Sequence, residues 1–174
     1  LFSREAGKLV AVSAGDALET TMAAYGSGAV ARSIREKATV MNVDVGGGTS
    51  KIAICRDGKV VAQTALDIGA RLFMVDHPEA RAIADRMADD LFDAMAGGGP
   101  LKSLRLPPLA YRGTIDVLTF SGGVSEFIYG RETRDFGDLG PMLADEIRKR
   151  ARVWGPRLEQ PVAGIRATVI GASQ

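Results

Sequence analysis

Three strand-like runs joined by two very short turns are the strongest constraint on what this chain can fold into. Residues 39–45, 49–55 and 59–66 carry Val43 and Val45, Ile52 and Ile54, then Val60, enough β-branched side chains to favour strand over helix. Gly46-Gly47-Gly48 separates the first pair, and Asp57-Gly58, a tight-hairpin dipeptide, separates the second. Strands joined this closely form an antiparallel meander. A doubly wound nucleotide domain would need helices between its early strands, and the Asp57-Gly58 hairpin argues against that.

The segments around the meander supply the rest of the order. A short apolar run at 8–13 reads as a strand, and an alanine-rich helix is expected over 16–25, with Asp16 and Glu19 forming an acidic capping box and Gly26 and Gly28 stopping it. Residues 78–95 read as a helix with Pro78 at its first position and an apolar stripe of Ile83, Met87, Leu91 and Ala94. Gly97–Gly99 and Pro100 end it, and the proline-containing stretch 101–113 reads as irregular. A buried strand over 115–120, a helix over 141–153 and a last strand over 165–170 complete the chain. Meander, helix, strand, helix, strand is the order of a ribonuclease-H-like domain, an α/β unit with a mixed sheet.

Composition narrows the chemistry. The 174 residues are 46% hydrophobic and 25% charged, which fits a globular domain with a sizeable core. No apolar run is long enough to span a bilayer, and no basic-then-apolar segment opens the chain as a signal would, so a cytosolic protein without membrane contact is expected. Twenty-two basic against 21 acidic residues give a net charge of +1, and no global field favours nucleic acid. The basic cluster Arg148, Lys149, Arg150 and Arg152 reads as a solvated helix end. One cysteine, Cys55, and one histidine, His77, exclude an intrachain disulfide and leave no His/Cys zinc set. Cys55 reads as a small buried side chain, His77 as a helix-start residue and Trp154 as a helix-end anchor. Because Leu1 is not a start methionine and a strand-like run follows almost at once, the chain is expected to be cut from a longer protein.

Chemistry must therefore run on carboxylates, hydroxyls, glycine loops and bound metal, and two stretches offer them. Asp44-Val45-Gly46-Gly47-Gly48-Thr49-Ser50-Lys51 combines bare backbone N–H groups with two hydroxyls, a pattern suited to cradling phosphate. It lacks the Gly-Lys-Ser/Thr of a Walker loop and the third glycine of a dinucleotide fingerprint. A glycine hairpin with no ligand is the competing reading. Asp44, at the end of a buried strand, needs a cation or donors nearby. It would hold magnesium through water or position the attacking water, or else simply cap the glycine turn. Ser121-Gly122-Gly123-Val124-Ser125-Glu126 follows another buried strand and places a glycine pair at a helix start, against a planar ring or a phosphate. Asp67, Arg71, Glu126 and Asp138 could face the cleft or a partner, and Glu19 could approach the metal.

Asp44-Val-Gly-Gly-Gly-Thr-Ser resembles the second phosphate loop of the actin, sugar kinase and heat-shock chaperone superfamily. Thr119-Phe-Ser-Gly-Gly-Val resembles its adenosine motif, and Ala14-Gly15 with the helix after it, and Ala167-Thr-Val-Ile-Gly-Ala, resemble its two connecting segments. Within that superfamily the stretches SAGDALE, NVDVGGGTSK, DIGARL, FSGGVSE, DFGDLGPMLADEI and IRATVIGA are similar to the ethanolamine ammonia-lyase reactivating factors. The resemblance implies an actin-like ATPase fold, with residues 1–38 as the end of a first domain plus a connecting helix and 39–174 as the second nucleotide-binding domain. It further implies ATP and Mg2+ as cofactors, with Asp44 as catalytic and metal-holding residue. Gly46, Gly47, Gly48, Thr49, Ser50, Lys51, Ser121, Gly122, Gly123, Val124 and Glu126 would hold the nucleotide.

The implied partner is ethanolamine ammonia-lyase, from which ATP would drive out damaged cobalamin so that adenosylcobalamin can rebind. Association with a bacterial microcompartment and a homo-oligomeric state are compatible with this. The family's first phosphate loop is absent, so hydrolysis is expected of a full-length parent and not of this stretch alone, and the segment between Leu72 and His77 is shorter than the family pattern leads one to expect. A small-molecule kinase of the same fold and a nucleotide-sensing domain without turnover are the alternatives.

Overall fold

The computed structural model describes residues 15–72, 76, 78–98 and 102–173. The strand expected over 8–13, His77 and the Gly99-Pro100 stop lie outside the described residues.

The meander forms as the turn chemistry requires. β1 (Val40–Val45), β2 (Ser50–Arg56) and β3 (Lys59–Leu66) pair antiparallel, with Asp57 and Gly58 both at positive φ in the second turn. α3 (Ala80–Met95) and an irregular stretch then carry the chain to β4 (Val117–Ser121), which lies parallel to β1 on its other side. β5 (Arg157–Glu159) extends the sheet, giving the order β3-β2-β1-β4-β5. β1 is thus the centre of the sheet, and its C-terminal end and that of β4 open at the same edge.

Alternation along β1 feeds two cores. Met41, Val43 and Val45 join Ile52, Ile54, Leu118 and Phe120 beneath α3 and α5 (Gly140–Ala151), which contribute Ile83, Met87 and Leu91, then Leu143 and Ile147. The expected stripe of α3 is therefore core. On the opposite face Val40, Ala53, Cys55 and Val117 meet Ala24 of α1 (Gly15–Gly26) and Ala29 and Val30 of α2 (Ala29–Arg35). Two helical layers enclose the sheet, in a mixed α/β fold.

Several expectations are corrected. Residues 165–170 hold no strand; α6 (Ala167–Gly171) occupies that place and packs on α1. Its β-branched residues suggest a strand, yet Val169 is 73% exposed. What the helix buries is small: Ala167 is fully covered, and a Cβ on Gly26 would strike the Ala167 carbonyl while one on Gly171 would strike that of Met22. Close approach of two helix backbones, not an apolar stripe, decides this element. The true last strand is β5.

The capping box does not form either. Asp16 accepts from Arg105 Nε at 2.9 Å and Glu19 pairs with Lys51 Nζ at 3.0 Å, so both carboxylates tie α1 to the body of the domain. α3 starts at Ala80, leaving Pro78 in the turn before it.

The basic cluster is less solvated than expected. Arg150 bridges from α5 to Asp85 and Asp89 of α3, each at 2.7 Å. Trp154 anchors the end of α5 edge-on against Phe92, ring centroids 5.9 Å apart.

Candidate functional site

Because β1 and β4 run parallel and in register, Asp44 stands beside Ser121 and Asn42 beside Thr119, all four on one face of the sheet. Each is followed by a glycine loop. The Gly46 N–H donates to the Thr49 carbonyl at 3.0 Å, closing the first loop, whereas the N–H groups of Gly47 and Gly48 donate to no backbone carbonyl among the described residues. The loop is braced from below: Ala70 and Arg71 donate to the carbonyls of Gly46 and Gly47 at 3.1 and 2.7 Å, and the Ser50 hydroxyl donates to Ile68 at 2.8 Å. Ser50 is thereby buried and committed, and its hydroxyl is not offered to a ligand as the sequence suggested.

The second loop meets the first at Gly122. Its φ of 82° and ψ of 177° belong to a region open essentially to glycine, and a Cβ there would collide with the Val45 carbonyl. The tight turn starts α4 (Gly123–Ile128), where Ser125 Oγ donates to the Gly122 carbonyl at 2.7 Å. Glu126, in its first turn, is gripped by the Arg131 guanidinium at 2.9 and 3.0 Å, which holds its carboxyl below the usual range. The same carboxylate accepts from the Ile165 N–H at 3.3 Å and so links α4 to the segment before α6.

Between the loops lies a cleft of about 370 Å³, lined by Gly46 and Gly47, Gly123 and Val124, Glu126 and Phe127, and by Arg71, Asp138 and Phe136 beyond them. Of the residues singled out in the sequence, Gly46, Gly47, Gly123, Val124 and Glu126 line this space. Gly48 follows in the loop, and Asp44, Ser121 and Gly122 lie beneath or behind it. Arg71 and Asp138 also reach the cleft and face each other at 3.6 Å, while exposed Asp67 turns away to Arg105 at 2.8 Å. Glu132, Arg134 and Phe136 were not legible as site residues. They sit in the loop 130–139, where Arg134 covers the Phe136 ring at 5.2 Å and holds Glu132 down to about 2.

Asp44 is 7% exposed, and burial pushes its carboxyl upward. The Ser121 hydroxyl, donating at 2.7 Å, and Lys51, opposite it in the β1–β2 register, pull the other way, while Glu19 adds to the upward push. Lys51 in turn is shared between Glu19 at 3.0 Å and Thr49 Oγ1 at 2.9 Å. Two carboxylates therefore face one ammonium beneath the first glycine loop.

The model of the family described as ethanolamine utilisation protein EutA matches residues 1–97 and 74–174. The chain belongs to the EutA family. It is 32% identical to the ethanolamine ammonia-lyase reactivase EutA of Salmonella typhimurium (strain LT2) and 31% identical to that of Escherichia coli (strain K12), in each case over 98% of the chain and 44% of the relative. The chain thus spans under half the length of these EutA relatives. The aligned stretch of 206 residues is longer than the chain, so the relatives carry residues inside it that this sequence does not. Among solved structures, a Ppx/GppA phosphatase of Aquifex aeolicus superposes with a TM-score of 0.54 at 14% identity, covering 87% of this chain and 62% of that one. A second structure of an Aquifex aeolicus Ppx/GppA family member gives 0.51 at 15% identity, over 88% and 61%. These two support the fold.

Proposed function

We propose that this chain is the second nucleotide-binding domain of a reactivase for ethanolamine ammonia-lyase, which uses ATP to release damaged cobalamin so that intact adenosylcobalamin can rebind. The observation that carries the nucleotide half of the reading is the pairing of two glycine loops at the ends of adjacent parallel strands, on either side of one cleft. The unspent N–H groups of Gly47 and Gly48 suit phosphate oxygens, and the backbone at Gly123 and Val124, at the start of α4, would take the nucleoside side. Family membership supports the lyase as partner, with association at a bacterial microcompartment as part of the proposal. Among the described residues no helix is long and apolar enough to cross a membrane.

The residues also suit a magnesium ion. Lys51 is paired with Glu19, so a cation near Asp44 would relieve the charge of a buried carboxylate that has no cation bound to it among the described residues. Magnesium needs only one or two carboxylates beside phosphates and water. When bound, the ion would neutralise charge on the phosphate oxygens. Asp44 would hold that ion or orient the attacking water, and Lys51 and Ser121 would keep Asp44 in place.

The test is recovery of a cobalamin-inactivated ethanolamine ammonia-lyase by the full-length parent protein with ATP, magnesium and free adenosylcobalamin, with ATP omitted as the control. ATP-dependent recovery is expected. Absence of recovery with ATPase activity intact would remove the reactivase role, and phosphate transfer to a small acceptor would then point to a kinase on the same site.

A further inference from the structure

Beneath the two loops a line of buried polar side chains ends on Asp44, and the nucleotide reading does not use its first two members, Thr119 and Asn42. Thr119 Oγ1 donates to Asn42 Oδ1 at 2.9 Å, Asn42 Nδ2 donates to Ser121 Oγ at 3.0 Å, and Ser121 Oγ donates to Asp44 Oδ2 at 2.7 Å. Asn42 and Thr119 are 1% exposed and Ser121 is fully buried. Four polar residues on one face of a buried parallel strand pair cost stability unless every donor and acceptor is matched, and here no buried side-chain polar atom among the described residues lacks a partner.

From this geometry we infer that Asn42 and Thr119 are positioning residues that fix the Ser121 hydroxyl on Asp44 through a one-way hydrogen-bond relay. A serine hydroxyl has one proton and can aim it at either neighbour. The amide N–H₂ of Asn42 cannot accept it, so donation from Asn42 leaves Asp44 as the acceptor. Asn42 presents its N–H₂ to Ser121 because its carbonyl oxygen is held by Thr119, whose other acceptor, the Met41 carbonyl, is farther away at 3.4 Å. Reversing any link would turn the Ser121 proton away and leave Asp44 without its nearest donor. The relay also spans β1 and β4, and so holds the starting residues of both glycine loops in one register.

This inference rests on the reading that Asp44 serves ATP turnover, and its test separates the two. In the full-length parent, Thr119→Val keeps the β-branched shape and removes the first donor, while Thr119→Ser keeps the donor. The expected outcome is a fall of about tenfold in kcat for Thr119→Val with KM for ATP little changed, and recovery in Thr119→Ser. The Asn42 side-chain amide protons, observed by NMR without nucleotide, are expected to be slow in exchange in the parent and in Thr119→Ser, and exchange-broadened or shifted in Thr119→Val. Should Thr119→Val not fold, Thr119→Ala replaces it, and the wild-type amide signals still decide. Fast exchange of the Asn42 amide protons in the parent protein overturns the relay, as does equal kcat for a folded Thr119 variant without the hydroxyl. A parent with slow Asn42 protons but no ATPase activity would leave the relay standing and remove the ATP reading.

Discussion

A carboxylate that is 7% exposed must find donors or cations, and Asp44 has one short hydroxyl bond and the nearby charge of Lys51. If it holds the ion or the water of phosphoryl transfer, Asp44→Ala in the full-length protein should lower the ATPase rate by at least ~10²-fold in a steady-state assay. An unaltered rate would remove Asp44 from the mechanism. Gly122 makes a structural prediction beside it: Gly122→Ala must adopt a glycine-only conformation against the Val45 carbonyl, and should cost about 1–3 kcal/mol of unfolding free energy measured by denaturant titration. Cys55 gives the pH dependence. Burial pushes its thiol from 9.0 up to about 12, so the unfolded chain gives up a proton that the folded one keeps. Stability from this residue is full below pH 9.0 and is lost as pH rises through about 12. Native protein at pH 8 should accordingly resist a thiol reagent, with one equivalent reacting on denaturation. At this scale the sequence showed the glycines and Asp44 because their spacing is unusual. Asn42 and Thr119 stayed hidden because a single polar residue inside a strand gives no sign of which neighbour it meets.

Among the elements, the meander and α3 were legible because local chemistry decides them: tight turns in the one, a 3.6-residue stripe in the other. α6 was not. Its Val169 and Ile170 read as strand residues, but they remain exposed, and the helix is selected by the fit of Ala167 and Gly171 against Gly26 and Met22 of α1. Such a choice depends on another element far away in the chain and leaves no periodic trace. The misread capping box has the same origin, since Lys51 and Arg105 draw Glu19 and Asp16 away from the backbone of α1. The contact yields its own prediction. Gly171→Val must push α6 off α1, and the overpacking should lower stability by about 1–3 kcal/mol, whereas Val169→Ala, at an exposed site on the same helix, should leave the unfolding midpoint within about 0.5 kcal/mol.

In the whole molecule, the proposed nucleotide site is a cleft at one edge of the sheet. The two glycine loops border the cleft, with Arg71 and the loop carrying Phe136 beyond them, around a space of about 370 Å³. Phosphoryl transfer depends on holding the reacting groups in line and excluding bulk water, and a cleft at the edge of one sheet supplies little of either. The EutA relatives are more than twice as long, which leaves ample chain in them to cover it. This chain alone, its fold checked by near-ultraviolet circular dichroism, should therefore turn over ATP at under about 1% of the full-length rate, the fraction that loss of a well-placed catalytic group commonly leaves. It should still bind a nucleotide weakly, detectable as ATP-dependent shifts of the Gly46–Gly48 and Gly122–Gly123 amide signals. Turnover comparable with the full-length protein would mean that the groups beneath the first loop, Asp44, Glu19 and Lys51, suffice for the chemistry. Shifts confined to residues away from both loops would place the nucleotide somewhere other than this cleft.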